Sequence, residues 1–267
     1  MSPLGTLDPK YRCILCDIWG VVHDGVSLYP GASARLCQWR DGGRNVILIT
    51  NAPRTADAVT GQLARIGLPR DCWDGIATSG DAGIEALNAL GQPVGFVGTS
   101  EDRAILESRG VRIAEREDFT DLACTGVTAE RPLPEQYCLD LERWAACDVR
   151  MHCLNPDRVV MRGGVLEACA GAIADLYEQL GGRVTWYGKP HTAIYRHALH
   201  LAGDPSPGEV LALGDGLQTD MLGAARMGFD AIFVSGGIHA GEPFPADFAE
   251  RHGLDDWRPI AVVEGLA

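Results

Sequence analysis

The stretch Cys16-Asp17-Ile18-Trp19-Gly20-Val21 lies inside an apolar run, residues 12–22, that a single carboxylate interrupts. Ile14, Leu15, Ile18, Val21 and Val22, with Cys13 and Cys16 among them, read as a strand buried on both faces. That is the habit of a parallel sheet. An uncompensated carboxylate in such a strand is costly. Asp17 therefore calls for a compensating group, and Trp19 stands two residues beyond it.

Working outward, residues 46–50 (VILIT) form a second strand too apolar to face water on either side. Further strands are expected at 75–78, 94–97, 111–114, 122–127, 149–154, 158–161, 184–187, 210–213, 231–234 and 260–263. Helices are expected between them, at 32–40, 55–66, 81–90, 101–108, 135–146, 166–180, 191–201 and 221–227, many closed by glycine. Apolar strands alternating with helices imply βαβ units and an α/β fold with mainly parallel sheets. The strands outnumber one comfortable sheet, so two α/β domains are expected.

The 267 residues are 46% hydrophobic and carry a formal net charge of −13. Such an acidic chain disfavours nucleic acid and anionic membranes as partners, yet accommodates a phosphate if a divalent cation reverses the local field. Residues 1–10 lack the apolar core of a signal peptide, and no run approaches the ~20 apolar residues of a membrane span. Nine cysteines are present; Cys13 and Cys16 sit in the first strand with no second pair spaced for zinc. Read as buried, unpaired thiols, they point to a reducing, cytoplasmic location.

Four polar points follow strand-like runs: Asp17, Thr50-Asn51, Lys189, and Asp215 with Asp220 five residues on. In an open parallel sheet ligands bind beyond the carboxyl ends of the strands, so these points can converge. A carboxylate can attack phosphorus. Oxygen ligands from Asp17, Asp215 and a backbone carbonyl suit Mg²⁺. Thr50 offers a hydroxyl to a phosphate oxygen, and Lys189 a compact positive charge. Taken singly, Asp220 is equally a helix-dipole partner, Thr50-Asn51 a turn, Gly214-Asp215-Gly216 a turn and Lys189 a surface lysine. The glycine-rich phosphate loops G-x-x-x-x-G-K-[ST] and G-x-G-x-x-G are absent.

The stretches Asp17-Ile18-Trp19-Gly20-Val21-Val22-His23-Asp24-Gly25, Tyr29-Pro30-Gly31-Ala32, Leu48-Ile49-Thr50-Asn51, Asn155-Pro156-Asp157, Gly188-Lys189-Pro190-His191 and Gly214-Asp215-Gly216-Leu217-Gln218-Thr219-Asp220 together resemble the haloacid dehalogenase (HAD) superfamily. The branch they resemble is class IIA, the NagD-like sugar-phosphate and nucleotide phosphatases. The resemblance implies a Rossmann-like core, residues 1–78 and 184–267, with an α/β cap inserted at 79–183. It implies Asp17 as nucleophile and Thr50 and Lys189 as phosphate binders. Asp215, supported by Asp220, and the backbone carbonyl of Trp19 would serve Mg²⁺. The substrate would be a small phosphorylated metabolite. Asn51, Asn155, Asp157 and Arg158 are further substrate-binding candidates, and a homodimer fits the branch.

In most such phosphatases an aspartate stands where this chain has Trp19. It protonates the leaving group, and indole exchanges no proton at neutral pH. His23, Asp24 or His152 are candidate substitutes. Alternatively the leaving group needs little help, as in an acyl phosphate, or the protein binds a phosphorylated ligand without turning it over. Dehalogenating relatives also lack the acid but need no Mg²⁺, against which Asp215 and Asp220 stand. The phosphonate-cleaving branch needs a cap lysine, and no lysine lies between residues 11 and 188.

Overall fold

The computed structural model describes residues 4–162, 165–237 and 243–267. Its strands are β1 (Cys13–Asp17), β2 (Asn45–Thr50), β3 (Gly75–Thr78), β4 (Gly95–Val97), β5 (Asp121–Cys124), β6 (Arg150–Cys153), β7 (Val159–Arg162), β8 (Val165–Ala168), β9 (Arg183–Trp186), β10 (Val210–Gly214), β11 (Asp230–Val234) and β12 (Ala261–Val263). The helices are α1 (Ala32–Asp41), α2 (Ala56–Ile66), α3 (Ser79–Ala89), α4 (Ser100–Ser108), α5 (Cys138–Ala146), α6 (Ala170–Gln179), α7 (Thr192–Leu201), α8 (Leu222–Met227) and α9 (Phe248–His252). The chain divides into two compact units: residues 1–50, 56–77 and 189–267, and residues 51–55 with 78–188.

The first unit is built on a six-stranded sheet in the order β12-β11-β10-β1-β2-β3. β1 pairs in parallel with both β2 and β10, and β11 continues the parallel ladder to β12. Counted within this unit alone, the order reads 3-2-1-4-5-6, the doubly wound arrangement whose switch point falls between its first and fourth strands. All five residues of β1 and all five of β10 are buried, as the unbroken apolar runs require. One core cluster joins Leu15, Ile47, Ala212 and Phe233 to Ile194, Tyr195 and Ala198 of α7 and Leu222 and Ala224 of α8.

The second unit carries a four-stranded parallel sheet, β4-β5-β6-β9, and the antiparallel hairpin β7–β8. Its core gathers Leu122, Met151 and Cys153 of the sheet against Leu141 of α5 and Ile173, Ala174 and Tyr177 of α6.

The structure moves several expected boundaries. β9 pairs with β6, Met151 opposite Val184, so the inserted unit runs to residue 188 rather than 183. Residues 51–55 belong to it as well, tied by the Asn51 Nδ2–Asp157 Oδ1 bond of 2.9 Å and by Gly80 N–H donating to the Ala52 carbonyl. The helix expected over 166–180 is the strand β8 followed by α6. Residues 111–114 form only an isolated bridge, Val94 to Ile113, instead of a strand.

The cysteines are not all unpaired. Cys37 of α1 and Cys72 form a disulfide, their Cα atoms 4.0 Å apart across 35 residues of sequence. The turn at Arg70–Cys72 packs on α1, a tertiary contact that spacing alone does not announce. Cys13 and Cys16 are buried thiols as expected.

Candidate active site

The carboxyl ends of β1 and β10 meet at the switch point of the first unit. Asp17 is the last residue of β1, and Asp215 directly follows β10. A single π-type turn, Leu217–Met221, then carries Asp220 back toward the strand ends. The carboxylate oxygens of Asp17, Asp215 and Asp220 lie within 4.8 Å of one another, and all three residues are buried. Lys189, ahead of α7, enters the same cluster with 3% exposure. Its Nζ donates to Asp17 Oδ1 at 2.6 Å and to Asp220 Oδ1 at 2.8 Å.

The surrounding backbone holds this arrangement. Asp17 Oδ1 also accepts the Ile18 N–H at 2.8 Å, which leaves Oδ2 without a hydrogen bond among the described residues. Asp220 Oδ2 accepts from the Gly216 N–H and the Thr219 hydroxyl, each at 3.2 Å. Asp215 sits between two glycines. A Cβ on Gly20 or on Gly237 would come within 1.9 Å of its Oδ2, and Gly20 has φ +78°. Nothing in composition marks these two glycines. Gly20 was legible only as part of the opening stretch, and Gly237 not at all.

Burial, then the Asp220 charge, pushes the Asp17 carboxyl well above its ordinary range, against the pull of Lys189. Burial pulls the Lys189 ammonium down, but Asp17 and Asp220 outweigh it and hold its pKa above the ordinary value. One ammonium against three carboxylates leaves a formal excess of two negative charges in a buried place. A divalent cation with hard oxygen ligands answers that excess, and the donor set fits Mg²⁺.

Thr50 ends β2 and is 5% exposed. The structure thus brings Asp17, Lys189, Asp215 and Asp220 together in the first unit. Asn51, Asn155 and Asp157 instead form a group in the second unit. Asp157 Oδ1 takes the Asn51 amide, and Asn155 Oδ1 takes the Asp157 N–H at 3.1 Å.

Comparison with known proteins places the chain in a family. Residues 14–112 match a family model described as haloacid dehalogenase-like hydrolase, and residues 186–266 a HAD-hydrolase-like model. The ribonucleotide monophosphatase NagD of Escherichia coli (strain K12) is 31% identical over 233 residues, 84% of this chain and 88% of that protein. The chain belongs to the NagD-like branch of the haloacid dehalogenase-like hydrolases. The D-glycerol 3-phosphate phosphatase of Mycobacterium tuberculosis is 28% identical over 240 residues, covering 86% of this chain and 65% of that one. A solved haloacid dehalogenase-like hydrolase from Brucella suis 1330 superposes with a TM-score of 0.82 at 36% identity, covering 98% and 97% of the two chains.

Position 19 is where the chain departs from the residue usual in such phosphatases, and each candidate substitute has partners of its own. His23 is 1% exposed. Its Nδ1 accepts the Gly25 N–H at 2.8 Å, and burial holds its pKa below the ordinary value. Asp24 Oδ1 accepts the N–H groups of Ser27 and Val26, which keep its carboxyl below the usual range. His152, in the second unit, is locked between Asp121 Oδ1 at 2.8 Å and the Tyr187 hydroxyl at 2.7 Å. Sequence reasoning did not foresee that Asp121–His152–Tyr187 chain, because its members come from three separate segments.

Proposed function

We propose that this chain is a Mg²⁺-dependent phosphatase that removes the phosphoryl group from a small phosphorylated metabolite, sugar-phosphate or nucleotide-like, through an aspartyl-phosphate at Asp17. The buried set of three carboxylates and one lysine at the switch point carries this reading. Asp17, Asp215, Asp220 and the Trp19 carbonyl would hold the cation, which supplies charge neutralisation between nucleophile and phosphate. Asp17 Oδ2 is the oxygen left to attack, while Lys189 fixes Oδ1 and aims the carboxylate. Lys189 and the Thr50 hydroxyl are assigned to the phosphate oxygens, where positive charge and donors stabilise the transferring group.

Among the described residues no helix is long and apolar enough to cross a membrane. Seven free cysteines support the cytoplasm as the working compartment, and the Cys37–Cys72 disulfide weighs against it.

The test is phosphate release by purified protein with Mg²⁺ over a broad panel of phosphorylated metabolites, acyl phosphates included. Multiple turnovers that vanish in Asp17→Asn support the reading, and no release from any member rejects it. Trp19 favours one second reading, a protein that binds a phosphorylated metabolite without turnover. Saturable ligand binding with no phosphate release would support that instead.

A further inference from the structure

The chain passes between its two compact units after residues 50, 55, 77 and 188. Within the second unit, one short loop at the end of β6, residues 154–157, holds the residues beside three of these passages. Asn51, the first residue after Thr50, donates its Nδ2 to Asp157 Oδ1 at 2.9 Å. Ser79, just after the passage at 77, donates its hydroxyl to the Leu154 carbonyl. Gly188, the last residue before Lys189, is buried and pressed so close that a Cβ would overlap the Pro156 ring and come within 2.6 Å of Asn51 Oδ1. Only glycine permits that approach.

The loop is itself held from both sides. Asn155 Oδ1 accepts the Asp157 N–H at 3.1 Å, and the Gly171 N–H of α6 donates to the Asp157 carbonyl at 3.1 Å. On the other side the Tyr187 N–H donates to the Cys153 carbonyl at 3.2 Å, and the Tyr187 hydroxyl ends the buried Asp121–His152–Tyr187 chain. Asn51, Ser79 and Asn155 are at most 9% exposed. Paired polar groups in such surroundings fix where the segments that carry them stand. Consecutive Cα atoms lie about 3.8 Å apart. Setting Asn51 against Gly188 therefore also sets the chain ends from which Thr50 and Lys189 extend.

We propose that Asn51 and Asp157 are positioning residues: their hydrogen bond, with Gly188 seated against Asn51, fixes the spacing of Thr50 and Lys189. The inference rests on the assignment of those two residues to the phosphate oxygens. The clasp acts on the phosphoryl group, which every substrate of the site shares, and not on the organic part that distinguishes one substrate from another.

The experiment titrates inorganic phosphate into the full chain with Mg²⁺ by calorimetry, and measures kcat/KM on a sugar phosphate, a nucleoside monophosphate and acetyl phosphate. Asp157→Ala and Asn51→Ser open the bond from either side, and Asp157→Asn keeps an oxygen for the Asn51 amide; each is checked for a cooperative melt. Removing the Asp157 charge favours an anion on electrostatics alone, so weaker phosphate binding by Asp157→Ala has the sign that positioning gives and charge does not. Each break should lower phosphate affinity by about tenfold, the scale of one hydrogen bond to a charged group. It should lower kcat/KM by roughly 10²-fold, the effect of a displacement near 1 Å, and by the same factor for all three esters. Asp157→Asn should recover most of both. Wild-type phosphate affinity in either folded break, losses that differ from ester to ester, or Asp157→Asn no better than Asp157→Ala overturns the clasp. Failure of both breaks to fold also overturns it, since the bond would then serve folding alone. Phosphate affinities that respond as expected, without turnover of any ester, leave the clasp standing and reject the phosphatase reading. Turnover by the wild type, with phosphate affinity unmoved in the breaks, does the reverse. A wild type that neither binds phosphate nor turns over any ester overturns both.

Discussion

Replacing Lys189 by methionine tests the electrostatics of the cluster most directly. The side chain stays long and apolar, but the ammonium that bridges Asp17 at 2.6 Å and Asp220 at 2.8 Å is gone. At an effective dielectric near 20, each contact is worth roughly 6 kcal/mol of gross Coulomb attraction. The net cost is smaller, because a stranded carboxylate escapes by binding a proton. From an ordinary carboxyl value of 3.8, protonation at pH 7 costs about 4 kcal/mol. That figure is the ceiling for the first carboxylate, and it falls within the ~3–5 kcal/mol expected when one partner of a buried pair is removed. For a chain of this size the loss corresponds to a melting temperature lower by roughly 10 °C.

The sign of the pH dependence is the sharper signature. In the variant the folded state holds a proton on the cluster that the unfolded state has lost above its ordinary carboxyl value. Its stability is therefore full below that value and falls as pH rises, by about 1.4 kcal/mol per unit. Urea unfolding in the presence of EDTA from pH 5 to 9 should show the deficit relative to wild type growing once pH passes the value to which burial already raises Asp17 in the wild type. Asp17→Asn combined with Lys189→Met should recover most of the loss, because it removes the charge left unpaired. A deficit that is flat with pH, or a double variant no more stable than Lys189→Met alone, would refute the claim that Lys189 stabilises the fold by neutralising these carboxylates.

Three further outcomes are expected. Gly237→Ala should displace the Asp215 carboxylate, whose Oδ2 a Cβ would approach to 1.9 Å, and weaken Mg²⁺ binding roughly 10–100-fold by calorimetry; unchanged affinity would show that the cradle does not position the ligand. Cys72→Ala should lower stability by roughly 4 kcal/mol for a loop of this length, with labelling under denaturing conditions finding eight free thiols (nine cysteines less the one replaced) against seven in the wild type; equal urea midpoints would remove the disulfide from the account of stability. Burial lowers the His152 pKa, so the unfolded state binds its proton first as pH falls through 6.5. Stability should then drop below that pH, and His152→Gln should drop less between pH 7 and 5; parallel curves would place the titration elsewhere.

How much of this was legible depends on what each feature is made of. β1 and β10 were readable because strands buried on both faces leave unbroken apolar runs, and Asp17 and Asp215 stand out at their ends. Lys189 was readable by position after a strand, although that strand, β9, belongs to the other sheet. Arg183–Trp186 has the same composition whichever sheet it joins, so the domain boundary could not be placed from it. The run from Leu166 to Leu180 contains a strand and a helix with only Cys169 between them, and no proline marks the break; its one glycine, Gly171, already lies inside α6. The Cys37–Cys72 disulfide and the two glycines around Asp215 arise from contacts between segments far apart in sequence, which no local pattern encodes.

Position 19 separates two functions that the usual residue combines. Its backbone carbonyl is the proposed fourth metal ligand, and the next residue, Gly20, is pressed against Asp215 so closely that no side chain would fit. Its side chain faces the other way in chemical terms, lying on His23 and under Gly25. Exchanging a carboxyl for an indole there changes proton transfer and leaves the three carboxylates and Lys189 in contact. Burying three carboxylates with one ammonium is costly unless charge is put to use there, in turnover or in binding a cation and a phosphorylated ligand. The carboxylates and Lys189 thus form a charge site that stands beside Trp19 without depending on its side chain.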